Sequence, residues 1–121
     1  MKIQVRKSDK HGRGVFATEY ISRNEVIEVC PVIALNKEDT LKIDETILFN
    51  YYYEWVNKNA AFALGYGSLY NHSYQPNAQY EKNFDENTIT IKSLKEILEG
   101  EEITVNYNSD PNSKEKVWFE Y

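Results

Sequence analysis

Three short segments of this 121-residue chain carry residue types able to do chemistry. Near the N-terminus, Gly12-Arg13-Gly14-Val15-Phe16-Ala17 fits the pattern G-x-G-x-x-G/A that cradles a dinucleotide pyrophosphate. That use needs a strand before the glycines and a helix of about ten residues after them. Here residues 19–24 reach a turn at once and 25–35 are again extended, so the context excludes it. The glycines remain either a tight turn or a place where backbone approaches a ligand without a helix dipole. In the middle, Tyr70-Asn71-His72-Ser73-Tyr74-Gln75-Pro76-Asn77 sets a histidine between two small polar residues. Only His11 is left as a second imidazole, which makes a metal site a poor reading. By itself the segment is a turn, with Asn71 and Ser73 bonding local backbone and Pro76 fixing the chain. Its Asn-x-Ser glycosylation pattern has no secretory context. Near the end, Gly100-Glu101-Glu102-Ile103-Thr104-Val105-Asn106-Tyr107 reads alone as a turn and an amphipathic strand.

The elements that must hold these segments are mostly short strands. Residues 2–6, 14–18 and 25–35 read as extended, with Pro31 marking an edge or bend. Residues 36–44 read as a polar loop, and 46–56, rich in aromatic and branched side chains, as a strand turning at 57–59. The alanines of 60–70 favour helix, but Gly65 and Gly67 weaken it. Residues 78–82 and 88–92 form a hairpin around 83–87, 93–99 leave room for one helical turn, and 102–107 alternate as a strand. Residues 110–113 turn into a short C-terminal stretch with Trp118 and Phe119.

Composition narrows the function classes. The length allows one small domain. A single cysteine, Cys30, inside an apolar run, excludes an internal disulfide and a Cys-rich zinc site. Net charge is −5 with no Lys/Arg cluster, which disfavours direct nucleic-acid binding and favours a basic protein partner. No apolar run approaches the ~18 residues of a membrane span, and no signal-peptide core opens the chain, so no membrane role and a cytoplasmic location are expected. Ten tyrosines against five phenylalanines favour half-buried strands around a polar-rimmed pocket.

Taken together and in order, Gly-Arg-Gly-Val-Phe-Ala, Asn-His-Ser-x-x-Pro-Asn and Gly-Glu-Glu-Ile-Thr-Val-Asn-Tyr resemble the signature segments of the SET-domain family of protein lysine methyltransferases. The resemblance covers residues 2–107. The run Leu64-Gly65-Tyr66-Gly67-Ser68-Leu69-Tyr70 and the small size look most like the minimal, free-standing viral and bacterial members. It implies a mainly β, β-clip-like SET fold of several small curved sheets, with one or two short helical turns and a C-terminal pseudoknot. In that knot 102–107 would thread against 71–77. The whole chain would be one domain, with residues 108–121 a short segment over the active site.

The resemblance also implies roles. S-adenosylmethionine would be the cofactor, S-adenosylhomocysteine its product, and no metal would be needed. His11, Gly12, Arg13 and Gly14 would line its amino-acid and ribose end, Asn71 its ammonium and His72 its adenine side. Tyr51 would add an aromatic contact, although Tyr52 and Tyr53 beside it leave the register open. Tyr107 would be the catalytic tyrosine, touching both cofactor and acceptor lysine. Tyr80 and Val105 would size the lysine channel and favour mono- over trimethylation; Tyr80 reads equally as a cross-strand partner in the hairpin. Where many members carry a cysteine after Asn-His-Ser this chain has Tyr74, and no Cys-x-Cys follows, so no zinc module completes the channel. Trp118 or Phe119 would cover the cofactor or wall the channel, or else only anchor the tail. The acceptor would be a histone or another basic protein. A non-catalytic module that binds cofactor or peptide, or a dimerising subunit, is the alternative.

Overall fold

Period-two alternation builds the strands. In β8 (Thr88–Ser93), Ile89, Ile91 and Ser93 are buried while Thr88, Thr90 and Lys92 are half-buried on the other face, as expected of a pleated strand covered on one side. It pairs antiparallel with β7 (Ala78–Asn83), with Tyr80 opposite Ile91. The connection ends at Asn87, whose φ of 52° lies in the left-handed region that asparagine tolerates. Asn83 Oδ1 accepts the Glu86 N–H at 3.0 Å and closes the turn. This hairpin falls where the sequence places it. The computed structural model describes residues 1–10 and 12–117.

β8 is one member of a five-stranded antiparallel sheet that also contains β3 (Val26–Ala34), β4 (Tyr53–Glu54) and β5 (Ala60–Ala63), in the order β4-β5-β3-β8-β7. Pro31 sits inside the central strand β3, opposite Thr88, and not at an edge. It is tolerated because β3 changes partner there, pairing with β8 up to Pro31 and with β5 from Val32 onward. A residue without an N–H loses little at such a handover. The sheet curls until its two edges meet: the Tyr53 ring on β4 lies 4.8 Å from Tyr80 on β7, and Lys82 Nζ donates to the Glu54 carbonyl at 2.6 Å.

The second sheet runs β1 (Ile3–Lys7), β2 (Arg13–Ala17), β9 (Glu102–Val105), β6 (Asn71–His72) in that spatial order. β9, last in sequence, is interior: it pairs antiparallel with β2 and parallel with β6, Asn71 opposite Thr104 and His72 opposite Val105. Beyond β6 the ladder is continued by side chain. Asn77 Nδ2 donates to the Glu102 carbonyl at 2.8 Å and its Oδ1 accepts the Thr104 N–H at 2.9 Å. Residues 102–107 thus lie against 71–77, as the family resemblance implies. Val15, Ile21, Ile91, Ile97, Ile103 and Val105 are fully buried in one continuous core, each worth about 1.5–3 kcal/mol of burial.

Three stretches differ from their sequence reading. Residues 36–44 are not loop but carry α1 (Lys37–Ile43); Asn36 Oδ1 caps it by accepting the Asp39 N–H at 2.8 Å, with Glu38 and Asp39 in the first turn. Residues 46–56 are not one strand. Thr46 Oγ1 accepts the Leu48 N–H and donates to the Ile43 carbonyl, starting a 3-10 turn at Ile47–Asn50, so only Tyr53 and Glu54 pair as a strand. Residues 93–99 hold no helical turn, because Ile97 and Ile21 exchange both backbone hydrogen bonds at 2.9 Å. Residues 60–70 resolve into β5 and a 3-10 turn, Gly67–Leu69.

Asn77 stands in for a strand on β9, so Asn77→Ala is expected to cost about 1–3 kcal/mol by leaving two buried backbone groups unpaired. Urea unfolding should show a lower midpoint at unchanged slope; an unchanged midpoint would count against this role.

Candidate functional site

The glycine segment, β6 and β9 meet at one point. Asn71 Nδ2 donates to the Arg13 carbonyl at 2.9 Å and to Glu102 Oε2 at 2.7 Å, while Ser8 Oγ donates to Glu102 Oε1 at 2.6 Å. Gly14 is required here: a side chain begun at its Cα would run into the Glu102 carboxylate and the Asn71 amide. Beside it, Gly12 opens outward, with no atom within 4 Å of where a side chain would begin. The two ion pairs among the described residues, Lys2–Glu25 and Lys42–Glu38, lie elsewhere. The Glu102 carboxylate at the centre of the cluster accepts from Ser8 and Asn71 and takes part in neither of these ion pairs.

On the other side of the Tyr70–Asn71 peptide lies a cavity of about 430 Å³, walled by Tyr51, Tyr52, Tyr53, Tyr70, Tyr80 and Tyr107 together with Phe49, Lys82 and Ser109. It sits where the edges of the five-stranded sheet curl together. Tyr107 is fixed at three points. Its N–H donates to His72 Nδ1 at 3.0 Å, its hydroxyl donates to the Tyr70 carbonyl at 2.6 Å, and its carbonyl accepts from the Tyr80 hydroxyl at 3.2 Å. The His72 ring lies 5.2 Å from the Tyr107 ring and 4.4 Å from Tyr74, edge-on to the latter.

Burial sets the charge states in the cavity. The Tyr107 phenol is pushed up chiefly by burial, then by the Glu102 carboxylate, so it is a neutral hydroxyl across the physiological range. Burial likewise raises Tyr80, and raises Tyr53 and Tyr70 strongly. Lys82 is pulled down by burial, with Glu54 opposing in part.

The structure brings Arg13, Gly14 and Asn71 together with Gly12 beside them, sets His72 against Tyr107 and Tyr74, and places Tyr51, Tyr80 and Tyr107 in the cavity wall. Val105 does not line the cavity; it is fully buried in β9. His11, Trp118 and Phe119 lie outside the described residues. Of the three adjacent tyrosines, Tyr53 is the one fixed in the wall, donating to the Gly67 carbonyl at 2.6 Å, and Tyr52 donates to Asp44 at 2.7 Å. Sequence reasoning passed over Glu102, Asn77, Tyr70 and Lys82. Glu102 lies inside a signature segment and Tyr70 adjoins one, but nothing in their type marks them. Among the described residues, no group of three or more His, Cys, Asp or Glu is placed to hold a metal ion.

Comparison with known proteins bears on the family and the fold. The SET domain family model matches residues 12–108. The chain is 34% identical over 119 residues to a Schizosaccharomyces pombe histone-lysine N-methyltransferase specific for H3 lysine-37, an alignment covering 98% of this chain and 77% of that protein. It is 30% identical over 123 residues to a Plasmodium falciparum variant-silencing SET domain-containing protein, of which it spans 5%. A Plasmodium falciparum crystal structure assigned to the histone methyltransferases superposes with a TM-score of 0.73 at 33% identity, covering 90% of this chain and 99% of that one.

The raised phenols carry a pH consequence. A folded-state pKa above the ~10 of unfolded tyrosine means the folded protein holds its protons longer, so stability falls as pH rises above ~10. Absorbance at 295 nm and circular dichroism, followed together in an alkaline titration, should show Tyr53, Tyr70, Tyr80 and Tyr107 ionising only as the protein unfolds. A full phenolate signal from a still-folded protein would contradict the burial described.

Proposed function

The chain belongs to the SET-domain family, and on that premise we propose that it is a lysine methyltransferase that carries a methyl group from S-adenosylmethionine to a lysine amine of a basic protein, a histone being the first candidate. The observation that carries this reading is the three-point hold on Tyr107 at the wall of a tyrosine-lined cavity, one peptide bond away from the Asn71–Glu102 cluster.

The residues fit the cofactor. The Gly12–Gly14 backbone leaves room beside Gly12, and the Glu102 carboxylate, held by Asn71 and Ser8, would be the acceptor for an amino-acid ammonium. Tyr51 and His72 would add contacts farther along. When bound, S-adenosylmethionine supplies an electrophilic methyl group on a sulfonium. What the chain must do is present a neutral amine in line with it.

Free lysine titrates near ~10.4, so the site must disfavour the ammonium. The tyrosine walls exclude water, and desolvation favours the neutral amine. Tyr107 is too weak an acid and too poor a base to take the proton itself. Its hydroxyl hydrogen is committed to the Tyr70 carbonyl, so towards the cavity the oxygen acts as an acceptor and orients an amine N–H. Catalysis here is placement and desolvation, without a nucleophile or an acid–base pair. The net charge of −5 favours approach of a basic segment. The Schizosaccharomyces pombe relative's specificity for H3 supports a histone as the first substrate to try.

Calorimetry with S-adenosylmethionine and S-adenosylhomocysteine should show binding to the purified chain; no binding of either would remove this reading. With labelled cofactor in a cell lysate, transfer to protein lysine is expected. Tyr107→Phe should keep cofactor affinity within a few-fold and lose on the order of a hundredfold in kcat. Binding with no transfer to any protein would instead indicate a non-catalytic module. The Tyr80 hydroxyl, directed at the Tyr107 carbonyl, narrows the cavity where added methyl groups would stand. Mass spectrometry of the product should therefore show mainly monomethyl-lysine, shifting to higher states in Tyr80→Phe.

A further inference from the structure

We propose that the buried carboxylate of Glu28 is a positioning residue for methyl transfer, fixing the 64–70 turn and, through Tyr70, the direction of the Tyr107 hydroxyl. The inference rests on the reading of Tyr107 given above.

Glu28 lies on the central strand β3, within an otherwise apolar run, and is 8% exposed. A buried carboxylate is costly unless fully hydrogen-bonded, and Glu28 belongs to neither ion pair among the described residues. Its partners are neutral donors, two of them from a single turn and a third, the Cys30 thiol, two residues along β3. Oε2 accepts the Tyr66 N–H at 2.9 Å and Oε1 accepts the Tyr70 hydroxyl at 2.8 Å. Just before Tyr66, Gly65 adopts φ 66°, and a side chain begun there would strike Glu28 Oε2, so the turn is wrapped directly on the carboxylate.

The turn in turn presents its carbonyls to the cavity. Gly67 accepts the Tyr53 hydroxyl at 2.6 Å and Tyr70 accepts the Tyr107 hydroxyl at 2.6 Å. Tyr70 is therefore gripped at both ends, its ring tip by Glu28 and its carbonyl by Tyr107. An apolar residue at position 28 would suit the core better, but only a double acceptor holds the Tyr66 amide and the Tyr70 hydroxyl at once. The same turn leads into Asn71, so a slack turn would misplace the acceptor site while Asn71 stays tied to Arg13 and Glu102.

The test compares wild type, Tyr107→Phe, Glu28→Gln and Tyr70→Phe. Glu28→Gln loses one of the two acceptors, and Tyr70→Phe removes only the hydroxyl. Each is expected to lower kcat tenfold or more, with S-adenosylmethionine affinity and acceptor KM within about twofold of wild type. The loss should persist well below the melting temperature. Wild-type kcat in a folded Tyr70→Phe, or a deficit that disappears on cooling, would overturn the proposal; should Glu28→Gln fail to fold, Tyr70→Phe decides. If wild type transfers no methyl group to any protein, it is the functional reading that fails. Hydrogen exchange then judges Glu28 by itself: faster exchange in Glu28→Gln confined to amides 64–71 supports the proposal, and exchange unchanged there, or raised equally in the β7–β8 hairpin, overturns it.

Discussion

Everything at the site hangs on one requirement: a strand buried on every side must still pair its backbone. In β9 and just beyond, Ile103, Thr104, Val105 and Asn106 are all buried, so each peptide group there needs a partner. β2 supplies one edge, and the two residues of β6 supply part of the other. The Asn77 amide and the Ser73 N–H, which donates to the Val105 carbonyl at 2.9 Å, supply the rest. Pairing the last strand between the first hairpin and the middle of the chain is what carries Tyr107 to His72 and Glu102 to Asn71. The site is a by-product of satisfying that strand.

From this follows the division into two halves. One peptide, Tyr70–Asn71, serves both: its carbonyl accepts the Tyr107 hydroxyl on the cavity side, and the Asn71 amide reaches Arg13 and Glu102 on the other. A shift of that peptide would move both halves together. The acceptor cluster comes from the four-stranded sheet, whereas the cavity joins Tyr53 and Tyr80 from the curled edges of the five-stranded sheet to Tyr70 and Tyr107 from the ends of β6 and β9.

Legibility in the sequence tracked how local the cause was. The β7–β8 hairpin was readable because Ile89 and Ile91 alternate with Thr88 and Thr90 and the turn chemistry is local. The helix α1 had a local signal too, Asn36 ahead of Glu38 and Asp39, hidden by the general polarity of the stretch. Residues 46–56 misled because their aromatic and branched side chains line a cavity or remain exposed, as Ile47 does, so strand-forming residue types found no ladder to join. The cavity itself was foreshadowed only by the abundance of tyrosine. Glu28 and Glu102 were not legible, since a carboxylate on a strand reads as solvent-facing until the fold shows what donates to it. Only the ordered family segments linked Asn71, Gly14 and Tyr107, because no local pattern spans such distances along the chain.

The reaction proposed here, needing placement and not an activated nucleophile, would make rigidity the catalytic quantity. Tyr107 stands just past the end of β9, where a chain would ordinarily fray. Here it is buttressed from beyond. Asn106 Nδ2 donates to the Ser113 carbonyl at 2.8 Å, and Asn108 Nδ2 and the Tyr74 hydroxyl both donate to the Glu115 carbonyl, at 2.7 and 2.8 Å. Val117 is buried. The segment after Tyr107 therefore folds back on the turn that precedes β7, closing a loop of hydrogen bonds around the tyrosine. Zinc-bound cysteines are one way to make such a brace; amide and hydroxyl donors on two backbone carbonyls are another. On the proposed function, the contacts that hold residues 108–117 in place also hold the reacting geometry, so local stability and turnover should rise and fall together.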